Sequence, residues 1–272
     1  MDLSIVLPVA DDDGVVACLG SVVDDVEIVA VLNGATERAE RAVRVDERVR
    51  VVRIPERDLG KACEAGVRAA AHDLVLIMNT DCVLEPDALR LLCAAWRPDT
   101  VVSGHLLLSG ERFGNRLVNR LHQVQRTCPP HAFAPGLLFH RSIGADIGGY
   151  FFHDRIGWTE DADFNRRCHA AGIEVVFCRE ATIRHPPKTM REFLATAVKY
   201  GTGRGRAEQL GLPGTTPHVR VRASALMANA RDVLRNADLV TALFGVAWDI
   251  AFVLGARAQW RRSGNSAKGG VR

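Results

Sequence analysis

Runs of aliphatic residues alternate with segments of helical spacing along the first third of this chain. The runs carry little polar alternation, which is typical of parallel strands covered by helices on both faces. We therefore predict an α/β fold with a parallel sheet, and ligands that bind beyond the carboxyl ends of its strands. The predicted strands are residues 3–9, 26–32, 49–54 and 74–78, and the predicted helices between them are residues 15–23, 37–45 and 60–71.

The rest of the chain departs from this alternation. A helix with proline in its first turn is predicted at residues 86–96, and residues 110–131 and the chain from residue 189 onward have helical spacing. We place one domain at residues 1–206 and a helical, basic C-terminal extension at residues 207–272. Further strands are predicted at residues 101–108, 133–140 and 174–178.

Composition and charge restrict the class of protein. The 272 residues are 47% hydrophobic, which is enough for a large core, and the net charge of +3 is too small to indicate a nucleic-acid partner. The seven cysteines form no C-x-x-C pair, so we expect reduced thiols in the cytoplasm. The N-terminus, MDLSIVLPVADDD, lacks a basic segment and a long apolar run, so no signal peptide is predicted.

The strand at residues 74–78 ends on Asn79, Thr80 and Asp81. A carboxylate at a strand end is a hard oxygen ligand for Mg²⁺ or Mn²⁺, and such an ion can bridge a diphosphate. Aspartate also caps helices and forms turns, so the residues alone leave both interpretations of Asp81 open.

A second polar cluster lies in GWTEDADFNRRCHAAG, residues 157–172. Thr159 can cap a helix there, and acids in a first turn are stabilised by the helix dipole without any further role. Alternatively, one of these closely spaced acids is a general base. Arg166 and Arg167 lie one turn on and can pair with them. The acids are Glu160, Asp161 and Asp163.

Two further segments can contribute to a site. His185, in ATIRHPP, is by itself most simply a structural hydrogen-bonding residue, but with Asp81 it can complete a metal site. A shell of imidazole and carboxylate favours Mn²⁺ over Mg²⁺. In KYGTGRGR, residues 199–206, the glycines and arginines suit either a loop that closes over phosphates or a solvated linker.

Six segments in this order resemble the family 2 glycosyltransferases, which have the GT-A (Rossmann-like) fold, a mixed, mostly parallel sheet flanked by helices. The resemblance covers about residues 3–206 and implies an inverting enzyme that moves a sugar from a nucleotide-diphosphate donor to an acceptor hydroxyl. The segments are SIVLPVADDD, VEIVAVLNGAT, LGKACEAGVRAAAHDLVLIMNTDCVLEPDAL, FAPGLLFHRSIGADIGGY, WTEDADFNRRCHAAG and ATIRHPP.

The resemblance implies partners as well as a reaction. The donor would be a UDP-, GDP- or dTDP-sugar, and the cofactor would be Mn²⁺ or Mg²⁺. The acceptor would be a glycan, a lipid-linked molecule or a small molecule, in the synthesis of cell-envelope glycan, glycolipid or a secondary metabolite.

Roles for individual residues follow from the same resemblance. Asp81 and His185 would bind the metal, Asp161 would deprotonate the acceptor hydroxyl, and Glu160 would support that base or position the acceptor. Gly148, Gly149 and Trp158 would lie on the acceptor side. The nucleotide would contact Pro8, Val9, Asp11, Asn33, Lys61, Asn79 and Thr80, and its diphosphate would contact Arg204 and Arg206.

Two positions depart from the family pattern. Asn79 replaces the first acid of D-x-D, which keeps a hydrogen bond to a ribose hydroxyl but removes a charge near the metal. Asn33 stands where the family often has aspartate, which leaves recognition of uracil or thymine open. Two other classes compete with this interpretation. A nucleotidyltransferase of related fold needs an N-terminal glycine-rich loop that LPVADDD lacks, and a non-catalytic sugar-nucleotide-binding protein needs no Glu160–Asp161 pair.

Residues 239–260, LVTALFGVAWDIAFVLGARAQW, are apolar over a length close to that of a bilayer, but Asp249 lies near their middle. One interpretation is a helix packed on the catalytic domain. The other is an interfacial helix followed by Arg257, Arg261 and Arg262. The second would place the protein peripherally at the inner face of the membrane.

Overall fold

The chain folds as two compact units. The structure, a computed structural model, describes residues 2–10, 14–127, 130–215 and 231–268. The first unit consists of Met1–Ser109 and Arg126–Pro186, and the second of Gly110–Gln125 and Pro187–Arg272. The domain boundary predicted after residue 206 differs from this division, because residue 206 lies inside a continuous helix, Met190–Gln209, of the second unit.

The first unit contains an eight-stranded sheet whose order is β3-β2-β1-β4-β7-β6-β8-β5. Its strands are β1 (Leu3–Val9), β2 (Glu27–Asn33), β3 (Val49–Ile54), β4 (Leu74–Ile77), β5 (Val83–Leu84), β6 (Thr100–Leu108), β7 (Leu137–His140) and β8 (Glu174–His185). Strands β1 to β4 are parallel, and β6 is parallel to β8. Only β5 and β7 run against their neighbours among the strands described. The predicted mixed, mostly parallel sheet is therefore confirmed.

Helices cover both faces of this sheet. Alternate residues of β1 point to opposite sides: Ile5 and Leu7 join one hydrophobic core, and Val6 joins the other. Burial on both faces explains why the strands read as continuous aliphatic runs. The described helices include α1 (Val15–Ser21), α2 (Glu37–Val43), α3 (Leu59–Ala69), α4 (Ala88–Ala95), α5 (Phe113–Thr127), α6 (Glu160–Ala170), α7 (Met190–Gln209) and α8 (Leu239–Lys268), of which α7, α8 and most of α5 belong to the second unit. Residues 231–236 are also helical.

The sheet is curled rather than flat. Strand β5 follows β4 closely in the chain, yet it lies at the far edge of the sheet, beyond β7, β6 and β8. Four strand spacings in a flat sheet amount to about 19 Å, which the six-residue step from Ile77 to Val83 could span only if fully extended. Residues 80 and 81 instead form a turn. The curl brings the start of β5, directly after the polar end of β4, beside the end of β8.

Two strands, β7 and β8, differ from their predicted bounds by more than one residue. β7 begins at Leu137 instead of residue 133, because the preceding backbone bonds to α6 and not to a strand: Ala132 N–H donates to the side chain of Asn165, and Ala134 N–H donates to Asp161. Pro135 has no N–H to offer a ladder. β8 continues seven residues beyond its predicted end, because its second half pairs with both β6 and β5.

In the second unit, α7 and α8 pack at very short distance. A Cβ added at Gly201 of α7 would lie 1.7 Å from the Phe252 carbonyl oxygen, and one at Gly255 of α8 would lie 2.1 Å from the Val198 carbonyl oxygen. The KYGTGRGR segment lies within helix α7, so the interpretation as a phosphate loop or linker is wrong. Its glycines allow two helix backbones to approach each other.

Candidate active site

Five of the residues predicted to hold the nucleotide lie at the carboxyl ends of adjacent parallel strands. Pro8 and Val9 end β1, where they pair with Val31 and Leu32 of β2. Asn33 ends β2, and Asn79 and Thr80 follow β4, the other neighbour of β1. The parallel register places all these ends at one edge of the sheet. Ligands of open α/β sheets bind at this edge. Asp11 lies outside the described residues.

Asn33 is buried and connects this edge to helix α3. Its side-chain oxygen accepts a hydrogen bond of 2.6 Å from the Asp58 N–H, and the Asp58 carboxylate in turn caps α3 by accepting from the Lys61 N–H at 2.9 Å. The Lys61 ammonium pairs with Glu56 at 2.9 Å. The contacts of Asn33 and Asp58 therefore fix the position of α3, and with it Lys61, relative to the end of β2.

Asp81, Cys82 and His185 form a group whose donor atoms all lie within 4.8 Å of one another. The Asp81 Oδ2 is 2.9 Å from His185 Nε2, and the Cys82 thiol contacts Asp81 Oδ1 at 3.3 Å. The backbone sets this arrangement. Strand β5, which starts one residue after Cys82, is antiparallel to the last residues of β8, with Val83 opposite Arg184.

The group suits a divalent cation. His185 Nδ1 lies 2.7 Å from the Pro186 carbonyl oxygen, so that nitrogen must carry a proton and donate it. In the neutral ring, Nε2 then carries a lone pair that faces a carboxylate oxygen of Asp81 at 2.9 Å. These two electron-rich atoms repel each other unless a cation, either a proton or a metal ion, lies between them. Metal-binding histidines commonly donate their other ring N–H to a carbonyl oxygen, which fixes the tautomer.

The three acids of the second cluster lie in different environments on helix α6. Glu160 and Asp161 start the helix. The Asp161 carboxylate is partly buried and accepts hydrogen bonds from the Ala134 N–H at 3.2 Å and the Ala162 N–H at 2.7 Å. Thr159 occupies the N-cap position, but its hydroxyl is buried without a hydrogen-bond partner in the described part of the chain, so the predicted side-chain cap is wrong.

Glu160 is an unusual carboxyl group. It is only 6% exposed, and its Oε2 has no hydrogen-bond partner among the described residues. Burial, and then the neighbouring Asp161 charge, raise the pKa of Glu160 well above the usual value. Glu160 therefore keeps a proton at pH values where an exposed glutamate is ionised, and the negative charge of the pair rests on Asp161.

The raised pKa of Glu160 predicts how this residue changes the stability of the fold with pH. Above about pH 4.5 the unfolded chain releases the Glu160 proton while the folded chain keeps it, so the contribution of Glu160 to wild-type stability falls as pH rises, by up to about 1.4 kcal/mol per pH unit until the folded group ionises. Glu160→Gln removes this loss. We expect the free energy of unfolding of the variant, relative to wild type, to increase from pH 5 to pH 8 in urea titrations.

Glu180→Gln is the matched control, because Glu180 is exposed on β8. Its difference from wild type should stay constant over the same pH range. A constant difference for Glu160→Gln as well would show that Glu160 is ionised in the folded protein.

Asp163 and Arg167 are buried structural partners. Arg167 Nε donates to Asp163 at 2.8 Å, and the same guanidinium donates to the carbonyl oxygens of Ile147, Tyr150 and Phe151. These carbonyls flank the predicted acceptor-side glycines, Gly148 and Gly149. The predicted pairing of acids and arginines on α6 is confirmed for Asp163, which bonds both Arg166 and Arg167.

The three residues predicted to lie on the acceptor side all have positive φ values. Gly148 and Gly149 have φ values of 97° and 83°, which favour glycine. Trp158 has a φ of 72° and a side chain that is 48% exposed, two residues before Glu160. A bulky residue in this region is strained, and such strain concentrates at functional sites.

Arg204 and Arg206 belong to α7 in the second unit. Arg204 Nε donates to Glu208 at 2.9 Å, and Glu208 also accepts from the Trp260 indole N–H at 3.0 Å. This network joins α7 to α8. A contact of either arginine with a diphosphate stays a prediction.

Sequence reasoning missed Cys82 as a third donor beside Asp81 and His185. The available signal was a thiol directly after the strand-end carboxylate. It also missed Asp58, whose position before the helical LGKACEAGVRA segment is typical of an N-cap.

Comparisons with known proteins agree with this architecture. Residues 4–151 match the model of glycosyl transferase family 2. Two crystal structures of Staphylococcus aureus TarS, residues 1–349, share the fold at 13% identity: the alignments cover 97% of this chain and 92% of each TarS chain, with TM-scores of 0.53 and, for the complex with UDP-GlcNAc, 0.54. No curated protein matches the sequence.

The GT-A-like fold and the matched family model define the protein as a glycosyltransferase. The chain belongs to glycosyl transferase family 2.

Proposed function

We propose that this enzyme transfers a sugar, with inversion, from a nucleotide-diphosphate donor to an acceptor hydroxyl, and that it depends on Mn²⁺ or Mg²⁺. The observation that carries the proposal is the Asp81–His185 pair, 2.9 Å apart at the strand-end edge of the sheet. The Glu160–Asp161 pair at the start of α6 supports the same reaction, because transfer to a hydroxyl needs a base.

The residues of this chain would divide the work as follows. Asp81 and His185, with Cys82 beside them, would hold the metal ion, which would neutralise charge on the leaving diphosphate. Asn33, Pro8, Val9, Asn79 and Thr80 would line the nucleotide.

Asp161 would take the proton of the acceptor hydroxyl as the hydroxyl oxygen attacks the anomeric carbon on the face opposite the leaving group. Glu160, which keeps its own proton, is suited to hold the acceptor or to support the charge on Asp161. The exposed Trp158 ring and the Gly148–Gly149 turn would lie against the acceptor.

We infer that the donor is a UDP-, GDP- or dTDP-sugar. The support is the position of Asn33 and the family match, and a solved structure of the same fold binds UDP-GlcNAc. We propose that the acceptor is a glycan, a lipid-linked molecule or a small molecule. The product would then be a cell-envelope glycan, a glycolipid or a secondary metabolite. A cytoplasmic location suits reduced cysteines such as Cys18 and Cys63, which are buried free thiols.

Calorimetry with UDP, GDP and dTDP, each with Mn²⁺, Mg²⁺ or EDTA, tests the site. We expect one nucleotide to bind only in the presence of metal. His185→Ala should weaken this binding by at least about 10-fold, because it removes one of the two predicted protein ligands, and loss of even an outer hydrogen-bond partner of such a ligand typically costs about 10- to 100-fold.

His169→Ala, a change at an exposed histidine of α6, is the control and should bind like wild type. Equal binding in EDTA and Mn²⁺ would contradict the metal assignment. Binding of none of the three nucleotides would contradict the donor class.

A further inference from the structure

The outer face of helix α8 carries an apolar stripe with no cover in the described structure. We define the stripe as Leu239, Leu243, Ile250 and Leu254, whose exposed fractions are 61%, 63%, 48% and 56%. Separations of four, seven and four residues place these side chains on one side of a helix. Single exposed aliphatic residues are ordinary, but a row over about four helical turns marks an interaction surface.

The stripe ends in positive charge. Arg257 and Arg261 follow Leu254 by three and seven residues, so they continue the same side of the helix, and Arg262 lies next to them. All three arginines are exposed. An apolar row followed by arginines has the chemistry of a bilayer interface, where aliphatic side chains enter the acyl region and cations meet anionic headgroups.

The opposite side of α8 is already occupied. Phe244 and Trp248 pack on Phe193 of α7, with ring centroids 5.5 and 4.3 Å apart, and Gly255 touches the α7 backbone. The segment Leu239–Arg262 is long and apolar enough to cross a membrane, but 44% of its most apolar window is buried inside the protein.

A spanning orientation would take α7 into the bilayer as well, since the two helices are packed from Phe193 to the Glu208–Trp260 hydrogen bond. Helix α7 carries Lys199, Arg204 and Arg206 between these points, and charged side chains in a bilayer core are costly. The helix pair is therefore suited to lie along the surface rather than across it.

A second copy of the chain is a poorer occupant of the stripe. From residue 239 to residue 262, α8 contains Asp249 as its one acid. Two α8 helices packed together would therefore bring three arginines from each copy to a surface with little opposite charge. Anionic lipid supplies that charge. We propose that the apolar stripe and Arg257, Arg261 and Arg262 dock the enzyme in the plane of an anionic bilayer surface.

Vesicle co-sedimentation of the full chain tests this proposal. We expect binding to vesicles that contain phosphatidylglycerol, weaker binding to pure phosphatidylcholine vesicles, and a decrease with added salt. Leu243→Glu with Leu254→Glu should reduce partition about tenfold or more, since two aliphatic contacts with lipid are replaced by charges that anionic lipid repels. Substitution of the three arginines with glutamine should remove the preference for anionic lipid.

Val23→Glu with Val45→Glu is the matched control. These valines are 83% and 69% exposed in the first unit, and their replacement adds the same two charges, so partition should stay at the wild-type level. Circular dichroism and thermal melting of each variant check that it is folded. Absence of wild-type binding, equal loss in the control, or self-association that the stripe variant abolishes without any vesicle binding would overturn the proposal. Resistance of the bound protein to alkaline carbonate would overturn the in-plane orientation.

Discussion

Asp161→Asn is expected to bind the donor nucleotide normally and to lose about 10²- to 10⁴-fold in turnover, the usual contribution of a positioned general base. The substitution keeps one side-chain oxygen, so one of the two hydrogen bonds from the Ala134 and Ala162 N–H groups can persist and the helix start is preserved. What the amide lacks is a basic oxygen. The acceptor hydroxyl then has no group to take its proton.

The measurement has two parts. Calorimetry gives the affinity for the nucleotide, and release of nucleoside diphosphate from the corresponding nucleotide-sugar gives turnover. Asp146→Asn, at an exposed aspartate before the Gly148–Gly149 turn, is the control and should turn over like wild type. Turnover of Asp161→Asn within about twofold of wild type would rule out Asp161 as the base. Loss of nucleotide binding in this variant would instead place Asp161 in the donor site.

Arg167→Met is expected to destabilise the fold by about 3–5 kcal/mol. The side chain is 5% exposed, and the Asp163 carboxylate that it pairs with is fully buried. Methionine fills much of the same volume but leaves that carboxylate with one arginine fewer. It also leaves the carbonyl oxygens of Ile147, Tyr150 and Phe151 without the guanidinium donor.

Arg97→Met provides the comparison. Arg97 also pairs with an acid, Glu174, at 3.1 Å, but both side chains are 62% exposed, and such pairs contribute less than about 1 kcal/mol. Urea unfolding followed by circular dichroism should therefore separate the two variants clearly. If both lose the same small amount of stability, the Asp163–Arg167 pair does not hold the Gly148–Gly149 turn as the contacts indicate.

The parallel half of the sheet was predictable from residues alone. Strands β1 and β3 have their predicted bounds, and β2 and β4 differ by one residue, because burial on both faces leaves a strong aliphatic signal and turn residues such as Asn33-Gly34 end it. The residues alone left a shared metal site of Asp81 and His185 as one option, and the resemblance to family 2 glycosyltransferases favoured it. The spacing of these two residues in the sequence could not show that they are close, since they meet only where the sheet curls.

Other features depended on tertiary contacts that no local pattern records. The start of β7 was misplaced because α6 side chains compete for the backbone N–H groups of Ala132 and Ala134. The glycines and arginines of KYGTGRGR favoured a phosphate loop or a solvated linker, whereas the segment is helical and its glycines pack against α8. Glu160 and Asp163 are both acids in the first turn of α6, and the arginine contacts of Asp163, which distinguish the two, are visible only in the structure.

The pairing of β5 with β8 bears on how this chain tolerates Asn79. Main-chain atoms, through the ladder that sets Val83 opposite Arg184, hold Asp81 and His185 in reach of each other. Side-chain identity at position 79 contributes nothing to that ladder, so mutational drift there changes the charge at the site and leaves its spacing intact.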